Sequence, residues 1–420
     1  MNKLSGSHYA CLACLLALAL AVRVGAAYWW QARLPAGARF EFGDSDAYWT
    51  LARHLAHGEP YQYGSPDARI FRTPGYPLLL AALFRAAENE PPVVWARWLS
   101  AALGTLAVAA VYGLGRQLFN PRTALIAATI AAAYPGAIAD SVFVLSEAPF
   151  CPLMVAQLVA WAASWQAATT ARAAWLAALA GTLAGAATLM RPGWLLFVPF
   201  GLAAGVVFGK QRTKHLRLGA VMLAALALAM TPWWVRNWQV VGHFVPTTLQ
   251  VGASLYDGLN PQADGSSEMS FVARFQQEER DAERQAGGLK EPFEYRLDQR
   301  LRRAALNWAQ AHPARVAELA GIKFLRIWNV WPNDAQFRNL PLRLVTFSTY
   351  VPVLALGIWG AWKMRHRGWP VVLAWLPAVY LTLLHLVFVG SIRYREPAML
   401  SLMALSAAAI LQGSTSSSDG

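Results

Sequence analysis

Charge is what this chain lacks most. Only 14% of its 420 residues are Asp, Glu, Lys or Arg, where a soluble domain carries roughly one quarter. Cysteine is nearly absent: Cys11, Cys14 and Cys151 all lie in apolar runs. Cys11 and Cys14 fall one turn apart on a helix but lack partners for a four-ligand metal site, so the three read as small packing residues. No Gly-rich phosphate cradle, nucleophile elbow or zinc motif occurs. That argues against a nucleotide held in a soluble Rossmann-type domain.

What is present is apolar. Hydrophobic residues make up 56% of the chain, and its mean hydropathy is +0.32. The apolar runs approach the ~20 residues needed to span a bilayer core. The class is therefore an all-α polytopic membrane protein, helical wherever it faces lipid. The net charge is +13, with 36 basic residues against 23 acidic. No nucleic-acid module accompanies this excess. It marks cytoplasmic loops and contacts with phosphate or anionic lipid.

The first apolar run, residues 8–30, has Lys3 in front and Val-Gly-Ala-Ala27 behind, as a signal peptide does. Many segments follow, which favours an uncleaved helix. Arg23 interrupts it and is expected to face the interior or to snorkel. Further spans read as 95–118, 122–142, 144–165, 173–190, 193–208, 217–235, 342–363, 369–389 and 397–412, about ten in all. Arg116 with Arg122, Arg172, the Lys210 to Arg217 cluster and Lys363-Met-Arg-His-Arg367 fall in alternate connections. The positive-inside rule places those connections, and both termini, in the cytoplasm.

Two large loops, 31–94 and 236–341, then share the outer face. The first carries short helices along the membrane, with Leu51, Leu55 and the run Leu78–Phe84 dipping into it. The second holds polar helices at 271–286 and 291–311. His312-Pro313 opens another helix, with an apolar stripe of Val316, Ala320, Phe324, Ile327 and Trp331. That stripe rests either at the interface, flanked by Lys323 and Arg326, or on the loop's own core. The expected domains are an N-terminal module, 1–235, with a chemical loop at 31–94; the loop 236–341; C-terminal spans, 342–413; and a disordered tail, 414–420. Trp29-Trp30 and Trp233-Trp234 mark span ends, as in aromatic belts.

Asp44 and Asp46 stand just after the first apolar run, and Arg72-Thr-Pro-Gly-Tyr-Pro77 opens the next. Acid, base and a turn motif in one loop at a membrane surface suggest an enzyme acting on a lipid-linked substrate. A partly desolvated carboxylate serves as a general base; either aspartate also serves as the N-cap of a helix over 47–56. We assign one to capping and Asp44 to chemistry, beside Tyr48 one turn on. Arg72, Arg191, Arg236, Arg393 and Arg395 all fall on the outer face, against the positive-inside preference. Singly, each suits a snorkelling residue or an ion pair with Asp140 or Glu396. As a set they suit a phosphate or pyrophosphate. Glu147 lies about a turn inside a span, which makes it a functional candidate or the partner of an interior arginine. With His243 it offers two ligands for a divalent metal, fewer than a site needs.

In order and spacing these landmarks resemble the C-type membrane glycosyltransferases. The likeness is to the bacterial branch similar to protein O-mannosyltransferases and the lipid A aminoarabinose transferase. Gly43-Asp-Ser-Asp-Ala-Tyr48 resembles that family's acidic first-loop motif, and Arg72-Thr-Pro-Gly-Tyr-Pro77 its Arg-x-Pro-Gly-Tyr-Pro element. Leu145-Ser-Glu147, Met190-Arg-Pro192, Pro232-Trp-Trp-Val-Arg-Asn237, Gly242-His-Phe-Val245 and Arg393-Tyr-Arg-Glu-Pro397 are similar to later landmarks. Mannosyltransferases of this group carry Asp-Glu in the first loop. Here Ser45 stands second, with Asp46 nearby, and the closer likeness is to lipopolysaccharide-type transferases.

The resemblance implies about ten membrane helices, a polyprenyl-phosphate sugar donor and inverting transfer to a hydroxyl on an envelope glycan, a lipid or a protein. It implies Asp44 and Asp46 as catalytic carboxylates. Tyr48, Arg72, Tyr76, Glu147, Arg191, Arg236, Arg393 and Arg395 become the substrate contacts. No cofactor is assigned; a divalent metal is the one candidate. Two other readings compete. One is a transporter or flippase for an anionic lipid, which Glu147 and Arg23 would suit. The other is a scaffold subunit of an envelope assembly. The lack of an inverted repeat and the gathering of polar residues in outer loops favour the enzyme.

Overall fold

A computed structural model of the chain describes residues 6–35, 37–331 and 339–415. Every regular element among them is helical. In chain order these are α1 (Gly6–Gln31), α2 (Gly43–His57), α3 (Gly75–Ala86), α4 (Val93–Leu118), α5 (Pro121–Ala133), α6 (Pro135–Val142), α7 (Glu147–Gln166), α8 (Thr170–Met190), α9 (Phe197–Phe208) and α10 (Arg212–Val241). There follow α11 (Val251–Gly258), α12 (Phe271–Gln285), α13 (Phe293–Ala311), α14 (Pro313–Trp328), α15 (Leu340–Lys363), α16 (Trp369–Val387) and α17 (Glu396–Thr415).

Helices α1, α4, α7, α8, α10, α15 and α16 are long and apolar enough to cross a membrane, seven among the described residues. The expected span 122–142 is broken: α5 and α6 meet at 57°. Of two more expected spans, 193–208 is a shorter apolar helix, and 397–412 lies within the 20-residue α17. Helix α17 sits inside the bundle. It packs against α4, α5, α7, α15 and α16, and Ala398, Met399, Met403, Ala404 and Leu405 are wholly buried. Of the expected tail 414–420, Ser414 and Thr415 are helical; the rest lies outside the described residues.

The break between α5 and α6 follows from Tyr134-Pro135, since Pro135 lacks an N–H and pre-sets the first turn of α6. Carbonyls at the end of α5 are left without helical partners. Arg23 supplies them. Its guanidinium donates to Ala131 O at 3.2 Å, to Ala132 O at 3.3 Å and to Ser141 Oγ at 3.1 Å. Arg97 does the same for α6, donating to Val142 O at 2.8 Å. Arg23 thus faces the interior.

Three apolar cores divide the molecule. The main one runs through the bundle. A second, with Tyr48, Trp49, Tyr76, Leu80 and Phe84, binds α2 to α3. Leu51, Leu80 and Phe84 are therefore buried in protein, not dipping into lipid as expected, while Leu78 stays exposed. The third joins Tyr256, Phe275 and Leu301 in the loop that follows α10.

Helix α14 is rotated from the expected stripe. It buries Leu319, Lys323 and Ile327, and leaves Phe324 exposed. The cause is Lys323, whose Nζ donates to Gly258 O, Leu386 O and Val387 O at 2.9, 3.2 and 2.9 Å. It satisfies carbonyls at the ends of α11 and α16 together. Trp233 and Trp234 also depart from expectation: their indoles donate to Thr247 O and Pro246 O and pin that loop. Cys11 and Cys14 are exposed on α1, not packed; Cys151 is buried.

The bundle has two distinct ends. At one, Lys214 lies over Trp165, Arg367 over Phe119, and Trp369 packs on His215. The basic turns gather there. At the other end stand Asp44, Arg72, Glu147, Arg191 and Arg393.

Candidate functional site

Helix α2 opens after an extended Phe42, and no side chain caps it. The capping role expected of one aspartate is therefore not filled. Asp44 sits in the first turn, where the helix dipole favours a negative charge. Its Oδ1 lies 2.5 Å from Arg72 Nη2 and its Oδ2 3.3 Å from Arg393 Nη1. Burial alone would raise the Asp44 carboxyl; the charges of Arg72 and Arg393 outweigh that and hold it below its ordinary value.

Glu147 opens α7 at the centre of the cluster. Arg393 grips it with two nitrogens, Nε on Oε1 and Nη2 on Oε2, the latter at 3.1 Å. Arg191 Nη1 stands 2.7 Å from the same Oε1. That nitrogen has no aligned hydrogen-bond acceptor, so the contact is ionic. The Glu147 side chain is 0% exposed and that of Asp44 35%. The first is a buried hub for two guanidiniums; the second is the carboxylate a substrate can reach.

The turn motif needs its glycine here. A Cβ on Gly75 would fall 2.6 Å from Leu189 O and 2.9 Å from Met190 Sδ. Its absence lets α3 rest on the end of α8, which brings the Arg72 and Arg191 segments together. Tyr48 meets Tyr76 edge-on, and Arg72 lies over the Tyr48 ring.

The other expected site residues stand apart. Asp46 is exposed and accepts from Tyr63 OH at 3.2 Å. Tyr76 is fully buried, its hydroxyl bonded to Ser100. Arg236 lies over Tyr61 and Trp233. Arg395 is buried against the Tyr350 ring and donates to Ile327 O and Asn329 O, closing the end of α14. His243 stacks on Tyr295 and faces Glu291, so it does not join Glu147 as a metal ligand. Among the described residues, no three His, Cys, Asp or Glu side chains come together to hold a metal.

Three residues escape the sequence reading. Tyr394 stacks on His385 and lies under Arg191. Its position inside the Arg-Tyr-Arg-Glu run is the available signal. Tyr61 donates to Arg72 O at 3.1 Å. Glu294 accepts from the amides of Arg69 and Ile70. Neither of these two has a sequence signal, because both act on backbone. Beside the cluster, Leu196, Pro199, Phe200, Tyr380, Leu383 and Leu384 line an open apolar groove of about 410 Å³. Tyr380 donates to Gly193 O, so the groove begins two residues from Arg191.

The dolichyl-phosphate-mannose-protein mannosyltransferase family model matches residues 72–235. No curated protein matches the chain by sequence. Among solved structures, it is similar to the apo oligosaccharyltransferase of Archaeoglobus fulgidus, with TM-score 0.61 and 15% identity over 98% of this chain and 52% of that one. The same organism's AglB, in complex with an inhibitory peptide and a dolichol-phosphate, gives TM-score 0.58 and 16% identity over 97% and 51%. ArnT from Cupriavidus metallidurans bound to undecaprenyl phosphate gives TM-score 0.47 and 15% identity over 99% and 80%. The chain spans about half the length of the oligosaccharyltransferase. Its fold is that of the C-type membrane glycosyltransferases.

Proposed function

We propose that the chain is a membrane glycosyltransferase that moves a sugar from a polyprenyl-phosphate donor to a hydroxyl on an envelope glycan, a lipid or a protein. The observation that carries this reading is the meeting of Asp44 with Arg72 and Arg393, and of Arg191 and Arg393 on Glu147, from separate connections of the chain. The basic turns occupy the opposite end of the bundle. The positive-inside rule assigns those turns and both termini to the cytoplasm, which leaves Asp44 on the outer face of the cytoplasmic membrane.

In this mechanism the acceptor hydroxyl meets the half-exposed carboxylate of Asp44, which takes its proton. The acceptor oxygen bonds to the anomeric carbon from the side opposite the leaving group. The bond from that carbon to the phosphate oxygen breaks, and polyprenyl phosphate departs with the electron pair. Configuration inverts. Arg72, Arg191 and Arg393 stabilise the charge growing on the phosphate. Phosphate that draws Arg72 and Arg393 toward itself also relieves Asp44 of the charges that hold its pKa down, which makes it a better base. The dolichol-phosphate complex of the archaeal relative supports a lipid phosphate as ligand. The groove between α9 and α16 offers the lipid tail an apolar bed beside Arg191. The loop 31–94 supplies the base, and the loop 236–341 shapes the acceptor side.

The test is sugar transfer by purified protein in liposomes. A panel of polyprenyl-phosphate sugars is supplied with candidate acceptors, and released polyprenyl phosphate is followed with Asp44→Asn alongside. Release from one donor, lost in the variant, supports the reading. Donor binding with no release by either protein overturns it in favour of a lipid transporter.

A further inference from the structure

The segment between α2 and α3 carries Arg72 but has no regular structure of its own from Glu59 to Pro74. Something else must hold it, since an unsupported loop would not keep a guanidinium in register with Asp44. The holding groups come largely from the second loop. Glu294, in the first turn of α13, is buried, with 7% of its surface exposed. Its Oε2 accepts from the amides of Arg69 and Ile70 at 2.8 and 2.9 Å, and its Oε1 lies 3.1 Å from the Ile70 amide. On the other side of the same residue, the Leu249 amide donates to Ile70 O at 3.0 Å. Ile70 itself is wholly buried.

From this geometry we infer that Glu294 is a positioning residue for the transfer reaction: through Arg69 and Ile70 it sets where Arg72 stands relative to Asp44. The chain distance makes this a coupling between the two loops across 224 residues. The reason for a carboxylate is chemical. Two adjacent backbone N–H groups, one of them on the wholly buried Ile70, find acceptors on one side chain, and a carboxylate has two oxygens with lone pairs to give. An apolar residue of the same size would fill the space and leave both amides unpaired. A substrate that displaces α13 would slacken the segment, and with it the grip of Arg72 on Asp44.

The inference rests on the transferase reading, so its test has a readout that does not. Wild type, Glu294→Gln and Glu294→Leu are reconstituted in lipid nanodiscs. Hydrogen exchange is measured for peptides covering 66–74, and transfer is measured with the donor that wild type accepts. Glu294→Leu keeps the volume where Glu294→Ala risks a collapsed loop. The expected result is that Leu raises exchange at least about tenfold in that segment and lowers kcat about 100-fold with little change in donor KM. Gln, which retains an acceptor oxygen, stays within about threefold of wild type in both. Unchanged exchange in Glu294→Leu overturns the clamp. Raised exchange with unchanged kcat overturns the positioning role. Failure of wild type to transfer any sugar rejects the transferase reading alone, and the exchange result still decides whether Glu294 orders the segment.

Discussion

Arg72 Nη2 stands 2.5 Å from Asp44 Oδ1, although the two are 28 residues apart in a loop with little regular structure near Arg72. The pairing is made by the surroundings. Gly75 seats α3 against α8, Tyr61 bonds the carbonyl of Arg72, and Glu294 holds the amides just before it. The pair and its supports can each be tested.

Asp44→Asn removes the base while preserving shape. Turnover should fall by about 10²–10⁴-fold, with membrane insertion and thermal unfolding close to wild type. Polyprenyl phosphate release from reconstituted protein measures it. Near-wild-type turnover would falsify Asp44 as the base.

Glu147→Ala strips Arg191 of its ion-pair partner and leaves Arg393 paired with Asp44 alone. Removing one partner of a buried ion pair costs about 3–5 kcal/mol, so the unfolding temperature in detergent should drop clearly. Adding Arg393→Met should recover part of that loss, because it removes one of the charges that Glu147 had paired. A double variant no more stable than Glu147→Ala alone would show that the pairing is not what Glu147 contributes.

Gly75→Ala puts a methyl 2.6 Å from Leu189 O. Helix α3 must move, at a cost of about 1–3 kcal/mol for overpacking. Arg72 moves with it. Transfer should therefore weaken, although Gly75 itself touches none of the ionised groups. Unchanged turnover and stability together would mean that α3 has room to shift without disturbing Arg72.

Glu294 gives a pH dependence. Burial, the largest influence, raises its carboxyl to about 7 from an ordinary 4.5, against the two amide hydrogen bonds and Arg236. Between those values the folded protein binds more protons than the unfolded chain, so Glu294 makes stability fall as pH rises from about 4.5 to 7 and adds nothing further above that. Glu294→Gln lacks this titration. The stability of Gln relative to wild type should climb across that window by an amount on the order of 2–3 kcal/mol. Denaturation of both proteins at about pH 5 and about pH 8, either side of most of that titration, measures the difference. A constant gap at the two pH values would exclude Glu294 as the titrating group.

Much of the helical pattern is legible in the chain, because an apolar run of span length finds few places to be buried except a bilayer. The departures share a cause. Tyr134-Pro135 breaks a span whose composition reads as continuous. Lys323 reads as a flank residue, yet it is buried on three carbonyls. Composition does not reveal which backbone groups will need a donor. The site follows the same rule. Asp44 is recognisable by the acidic stretch after the first apolar run, Glu147 by its depth in a span, and Arg72, Arg191 and Arg393 by charge placed against the topology rule. Arg395 carries the same signal and serves the end of a helix instead.

The ion-paired cluster holds three guanidiniums and two carboxylates, and so keeps one positive charge in excess. A phosphodiester-linked sugar brings a single negative charge and closes that balance. A pyrophosphate-linked sugar brings a second, which would stand unmatched beside the buried Glu147. Under the proposed function, that single excess charge favours a carrier with one phosphate over a carrier with two.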